Sequence, residues 1–205
     1  MIQPNVIYPK LRKQVRPIPS NVCYFPSNLP KDSELIFSKE QCEWIVNYAQ
    51  KLNGAPASIG GDGPYGQINK EIRDANVFPF PLNEQTEPLY RKMMMIVEAA
   101  NQEYDFDIDG IPHEFQLLKY EPGGHYNWHM DMGGVNGDRK ISVVVFLTDP
   151  SEYEGGELEV LEGGKLPREQ GAVATFPSYM MHTVNPVTKG TRWTLVSWIT
   201  GKRFR

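Results

Sequence analysis

The chain has 205 residues, 40% of them hydrophobic, 11% aromatic and 22% charged. That is enough to bury one ordinary core, and it excludes a disordered chain. A net charge of -4 leaves no overall attraction to nucleic acid or to an anionic membrane surface.

The two cysteines, Cys23 and Cys42, build neither a disulfide framework nor a thiolate cluster. A reducing, intracellular setting is therefore expected: the cytoplasm, or the host cytoplasm for a viral protein. The first residues lack the apolar stretch of a signal peptide. No run approaches the ~18 apolar residues of a membrane span.

Residues 1–32 hold six of the 17 prolines (Pro4, Pro9, Pro17, Pro19, Pro26 and Pro30). Proline fixes φ and biases its predecessor to extended backbone, which predicts an irregular arm. Val6, Ile7, Tyr8, Val22, Tyr24 and Phe25 predict that the arm packs on the body. Basic residues near the two ends (Lys10, Arg12, Lys13, Arg16; Lys202, Arg203, Arg205) read as solvated charge.

Ser38 followed by Gln41 forms a capping-box pattern that opens a helix to about Leu52, with Cys42, Ile45, Val46, Ala49 and Leu52 on its buried face. Residues 53–69, rich in glycine, read as a mobile substrate loop. A second helix is predicted from Asn83 to about Tyr104, burying Leu89, Met93, Ile96, Val97 and Ala100. From Phe115 onward, short strands alternate with Gly, Pro and Asp turns. They are placed near 115–121, 126–131, 139–148, 156–161, 171–176, 180–185 and 191–199. The run Ile141–Leu147 is apolar on both faces, as a central strand covered on both sides would be. One domain is expected: an arm (1–32), a helical support with the loop (33–114) and a strand-rich core (115–200).

Three residues carry the chemistry. His129 and Asp131 are two apart on a predicted strand, so both side chains leave one face. His182 lies on another strand that the fold must bring across. Two imidazoles and one carboxylate make the facial set that suits non-haem Fe(II), with coordination positions left open. Further on, Arg192, Thr194, Val196 and Trp198 share a strand face. An arginine pointing into a barrel needs an anion, and its guanidinium fork matches a carboxylate. Triad and arginine together predict a small diacid between them.

The text Tyr120-Glu-Pro-Gly-Gly-His-Tyr126-Asn-Trp-His129-Met-Asp131 continues through Arg139-Lys-Ile-Ser-Val-Val-Val-Phe146-Leu147 and Glu154-Gly155-Gly156-Glu157-Leu158. Phe176-Pro177-Ser178 and His182-Thr-Val-Asn-Pro-Val-Thr-Lys-Gly-Thr-Arg192 complete it. Over about residues 115–199 this resembles the prolyl-4-hydroxylase-like branch of the Fe(II)/2-oxoglutarate-dependent dioxygenases, above all the PKHD-type hydroxylases. The resemblance implies a mainly β fold with flanking helices around a double-stranded β-helix (jelly-roll) core. It implies iron at His129, Asp131 and His182, and Arg192 on the distal carboxylate of 2-oxoglutarate. Tyr120 and Trp198 would contact that cosubstrate, and Tyr126 and Arg139 would face the substrate.

By the same likeness the reaction consumes O2, uses ascorbate as reductant, hydroxylates an aliphatic C–H and releases succinate and CO2. Asp131 argues against the halogenating relatives, which carry a small residue there. The chain departs from the family at Leu158 (often threonine), Phe146 (often tyrosine) and Thr200 (histidine in some peptide-acting members).

A prolyl residue of a peptide or protein is the first substrate expectation, and a free amino acid or other small metabolite the second. The peptide reading predicts an open groove bordered by residues 53–69 and 149–157; the metabolite reading predicts a closed pocket. A metal-binding jelly roll without activity is the non-enzyme alternative. Nucleic-acid demethylation fits the acidic balance poorly. His113 and His125 read as structural. Trp128 reads as outer-face packing. Asp149, Glu154 and Glu157 read as turn and surface carboxylates, with attraction of a basic peptide as their functional alternative.

Overall fold

The computed structural model describes residues 21–29, 33–60 and 66–203. The expectations for Val6, Ile7, Tyr8, the N-terminal basic cluster and Arg205 lie outside them, as does part of the 53–69 loop.

Helix α1 spans Lys39–Ala49, and its capping box is complete. The Ser38 hydroxyl accepts from the Gln41 N–H at 3.2 Å, and the Gln41 side chain accepts from the Ser38 N–H at 3.0 Å. The helix stops short of Leu52 because the N–H groups of Lys51 and Leu52 turn back to Tyr48 and Ala49, tightening the last turn to i→i−3 bonds. Helix α2 spans Glu87–Tyr104, beginning later than the expected Asn83. Asn83 forms a turn instead: its side-chain oxygen accepts from the N–H groups of Gln85 and Thr86.

Strands before the core are β1 (Cys23–Phe25), β2 (Ala55–Pro56), β3 (Arg73–Asp74), β4 (Asn76–Phe80) and β5 (Ile108–Gly110). The core adds β6 (Phe115–Tyr120), β7 (His125–His129), β8 (Arg139–Phe146), β9 (Tyr153–Gly155) and β10 (Leu158–Val160). The rest are β11 (Gly164–Lys165), β12 (Val173–Pro177), β13 (His182–Val184), β14 (Val187–Gly190) and β15 (Arg192–Gly201).

The major sheet runs β1-β12-β8-β15-β6-β4-β2, with β5 also on β15, and the minor sheet runs β11-β10-β13-β7-β3. All pairings are antiparallel. These two sheets, a small β14-β9 ladder and helices on the outside make the mainly β jelly roll that the family resemblance implied. No helix among the described residues is long and apolar enough to cross a membrane.

Alternation along β8 builds two cores. Ile141, Val143 and Val145 face a core shared with α1 and α2, with Leu147 just beyond the strand; Val144 and Phe146 face a second core between the sheets. β15 does the same, sending Leu195 and Ile199 to the helices and Val196 and Trp198 to the inter-sheet space. The arm joins as predicted where it is described: β1 pairs β12, and Tyr24 packs against Phe146 at 6.3 Å.

Trp128 does not pack against an outer layer: it points outward, but that face of the minor sheet is solvent, and the residue is 45% exposed. An antiparallel sheet can leave one face wet.

Candidate active site

β13 and β7 are neighbours, and their register sets His182 directly opposite His129. Asp131 lies just beyond the end of β7, held by its N–H to the Ser178 carbonyl at 3.0 Å. Asp131 Oδ1 is 3.6 Å from His129 Nε2, and Oδ2 is 3.4 Å from His182 Nε2. One ligand atom from each of the three residues falls within 4.8 Å of the others, close enough for a single ion to bridge them.

Each imidazole is set by the chain around it. His129 Nδ1 lies 2.8 Å from the Asn127 carbonyl and His182 Nδ1 lies 3.0 Å from that of Met180. A carbonyl accepts only from a protonated nitrogen, so both Nε2 lone pairs are free for a metal. Burial pushes the His182 pKa down, against the opposing pull of Asp131, which keeps the ring neutral and ligand-ready. Burial disfavours the Asp131 carboxylate. The facing His182 and His129, with the Ser142 hydroxyl, outweigh that and hold its pKa well below the ordinary range. Two imidazoles and one carboxylate are a donor set that fits Fe(II).

The same inter-sheet cavity is lined by Tyr120, Tyr126, Arg192 and Trp198. Arg192 is 1% exposed, and none of its three guanidinium nitrogens has a hydrogen-bond partner. Aromatic rings surround it, Tyr120 at 5.2 Å and Phe146 at 5.9 Å. A buried cation without an anion is costly, so this arrangement asks for a carboxylate to enter.

Comparison with known proteins agrees. The model of the 2OG-Fe(II) oxygenase superfamily matches residues 115–200. That match covers less than half of the chain. A PKHD-type hydroxylase of Synechococcus sp. (strain CC9902) is 38% identical over 128 residues, covering 57% of this chain and 58% of that protein. Another, of Picosynechococcus sp., is 44% identical over 94 residues, 42% of each. The matched stretch thus spans about half the length of these curated relatives.

Among solved structures, a prolyl-4-hydroxylase of Pseudomonas putida superposes with a TM-score of 0.66 at 20% identity, covering 89% of this chain and 94% of that one. A prolyl hydroxylase from Trichoplax adhaerens, in complex with a peptide fragment, gives 0.69 at 18%, covering 87% and 83%. At these identities the likeness establishes the fold.

The Gly155-Gly156-Glu157 segment has a physical reason here. Gly155 and Gly156 both have positive φ. A Cβ on Gly155 would meet the Pro186 carbonyl oxygen at 2.2 Å, and one on Gly156 would meet Arg192 Cδ at 2.8 Å. Gly156 is the space into which the Arg192 stem fits. Gly156→Ala should therefore destabilise the protein by about 1–3 kcal/mol, measured as a lower urea midpoint with unchanged slope.

Several site residues escaped the sequence. Ser142 donates to Asp131 Oδ2 at 2.6 Å and is 3.0 Å from the Ser178 hydroxyl. It was visible as the lone polar residue inside an apolar run. Ser142→Ala should lower metal affinity about 10–100-fold, as loss of a ligand's supporting contact does, and titration with a divalent metal will read this. Tyr153 is close enough to Arg192 for the guanidinium to oppose the upward push of burial on the phenol. Arg73, on β3 beside β7, lines the cavity as well.

Outside the triad lies a groove, lined among others by Ser58, Gly60, Met130, Val135, Arg139 and Trp198. The loop at 53–69 borders it as expected, but 149–157 does not. The opposite wall is residues 130–136, and Asp149 and Glu152 line a separate depression next to α1. His125 is structural: its ring nitrogens lie 2.9 Å from the Gly123 carbonyl and 3.2 Å from that of Glu71. His113 is exposed. Asp149 accepts from Ser151, and Glu154 pairs with Lys189 at 3.2 Å. Thr200 lines neither cavity nor groove.

Proposed function

We propose that the protein is an Fe(II)- and 2-oxoglutarate-dependent dioxygenase that hydroxylates an aliphatic C–H. A prolyl residue of a peptide or protein is the first substrate, with succinate and CO2 as co-products. The observation that carries this is Arg192, buried without a partner in the cavity that also holds His129, Asp131 and His182. A merely structural metal centre gives no reason for an unpaired buried guanidinium beside it.

In this reading His129, Asp131 and His182 hold Fe(II), which with 2-oxoglutarate and O2 supplies the oxidising chemistry. Arg192 receives the distal carboxylate of 2-oxoglutarate through its fork. Tyr120, cross-strand from Arg192, and Trp198 close the cavity around that cosubstrate. Tyr126, stacked on the His129 ring at 3.4 Å, and Arg139, over the Trp198 ring at 3.9 Å, face the substrate.

A peptide or protein is preferred over a free metabolite because the Trichoplax adhaerens structure, similar in fold, holds a peptide fragment. Free thiols at Cys23 and Cys42 suit a reducing cytoplasm, and ascorbate is the expected reductant.

The test is turnover. Purified protein with Fe(II), ascorbate and 2-oxoglutarate should release succinate slowly even without a prime substrate. Incubation with a prolyl peptide array should give products heavier by one oxygen atom. No succinate together with no iron binding would sink the reading.

A further inference from the structure

We propose that the groove recognises a carboxylate held close to the reacting carbon, with Arg73 as its anchor. This rests on the dioxygenase reading above and names the substrate chemistry that reading leaves open.

Arg73 is 9% exposed and is fixed in two ways. Its Nη1 donates to the Ser58 carbonyl at 2.9 Å, and its guanidinium lies over the Tyr126 ring at 4.7 Å. One donor stays unused, because Nε is buried with no hydrogen-bond partner. A buried guanidinium held in place with a spare N–H is organised to accept an anion.

Arg73 lines both the triad cavity and the outer groove, whereas Arg192 lines only the cavity. The two arginines therefore serve different ligands: Arg192 is placed for the cosubstrate, and Arg73 for what arrives through the groove. Facing the groove as well is Arg139, on Trp198 and 3.4 Å from the Asp131 carbonyl.

The only carboxylate among the described residues lining the groove is Asp131, already committed to two histidines and Ser142. Among the described residues that line the groove, the cations are Arg73 and Arg139. Asp149, Glu154 and Glu157, which would have drawn a basic peptide, do not line it. The carboxylate has two sources: an Asp or Glu side chain next to the target residue of a peptide, or the α-carboxylate of a free amino acid.

The experiment uses the full chain loaded with a divalent metal and 2-oxoglutarate, with oxygen excluded, and measures binding by calorimetry. Probes come in pairs: prolyl peptides with Asp or Glu beside the proline against their Asn or Gln counterparts, and L-proline against L-prolinamide. In at least one set the carboxylate member should bind about 30-fold or more tightly, since it satisfies a buried charge that the amide leaves bare. Preference in the peptide set identifies a side-chain carboxylate, and preference in the other set an α-carboxylate.

In Arg73→Gln the ratio should fall to near one. Arg73→Lys, which keeps the charge without the fork, should fall between, and it serves if the glutamine variant does not fold. Equal binding or no binding throughout the wild-type pairs overturns the proposal, as does a preference that survives Arg73→Gln. Succinate release by the Fe(II)-loaded wild type separates the two failures: absent, the dioxygenase reading fails; present with equal binding, only the anion site does.

Discussion

His182→Ala should lose iron and, with it, all succinate release, while the fold survives. His182 is 5% exposed and stands opposite His129 on the neighbouring strand. No side chain among the described residues can replace its Nε2. Removing the Ser142 contact leaves three ligands and weakens the metal about 10–100-fold; removing His182 leaves two ligands and must cost more than that. The lost ring also uncovers Phe176, whose centroid is 4.7 Å away. Far-UV circular dichroism and a urea melt will therefore show modest destabilisation and an intact fold. Fe(II) titration and succinate assay are the decisive readings. Iron bound as tightly as in the wild type would mean that the triad is not the metal centre.

The parts of the site that could be read in advance are those that depend on short-range alternation. His129 with Asp131, and Arg192 with Thr194, Val196 and Trp198, need only a strand's period of two. That period predicts faces correctly even though Asp131 falls beyond the last residue of β7. The two-sided apolar run at β8 predicted a covered central strand, and it lies between β12 and β15.

What stayed illegible depends on register between distant strands. Ser142 reaches Asp131 because β8 pairs β12 and β15 in one particular register, with Ser142 opposite Phe176 and Trp198. Arg73 reaches the triad only through the pairing of β3 with β7. β3 and β4 themselves carried no strand signal. β3 has two residues, and β4 (Asn76–Phe80) contains Pro79, which cannot donate to a ladder. The alternation that placed Trp128 outside was right about direction, but nothing in a local pattern says whether a second layer covers that face.

Arg192→Met should move activity and stability in opposite directions. The guanidinium is buried, its Nε, Nη1 and Nη2 lie outside hydrogen-bond geometry and the Tyr153 phenol is nearby, so the protein without cosubstrate carries a poorly compensated charge in an aromatic setting. A flexible apolar side chain of similar length removes that cost. Replacement of buried charge by well-packed apolar groups is commonly neutral to stabilising by about 1–4 kcal/mol. The urea midpoint of Arg192→Met, measured without metal or 2-oxoglutarate, should rise.

Adding 2-oxoglutarate with a divalent metal should reverse the order. In the proposed reading the distal carboxylate pairs with Arg192 in the wild type, and binding then stabilises the folded state by mass action. In the variant that pairing is gone, and 2-oxoglutarate should bind about 30-fold or more weakly, the consequence of losing one partner of a buried charge pair. Metal affinity should stay close to wild type, because Arg192 is not among the three ligand residues. An arginine kept only for packing would give the opposite pattern: a destabilised variant whose melting midpoint still responds to 2-oxoglutarate. The sign of the stability change without ligand, set against the size of the response to 2-oxoglutarate, decides whether the buried charge is there for the cosubstrate.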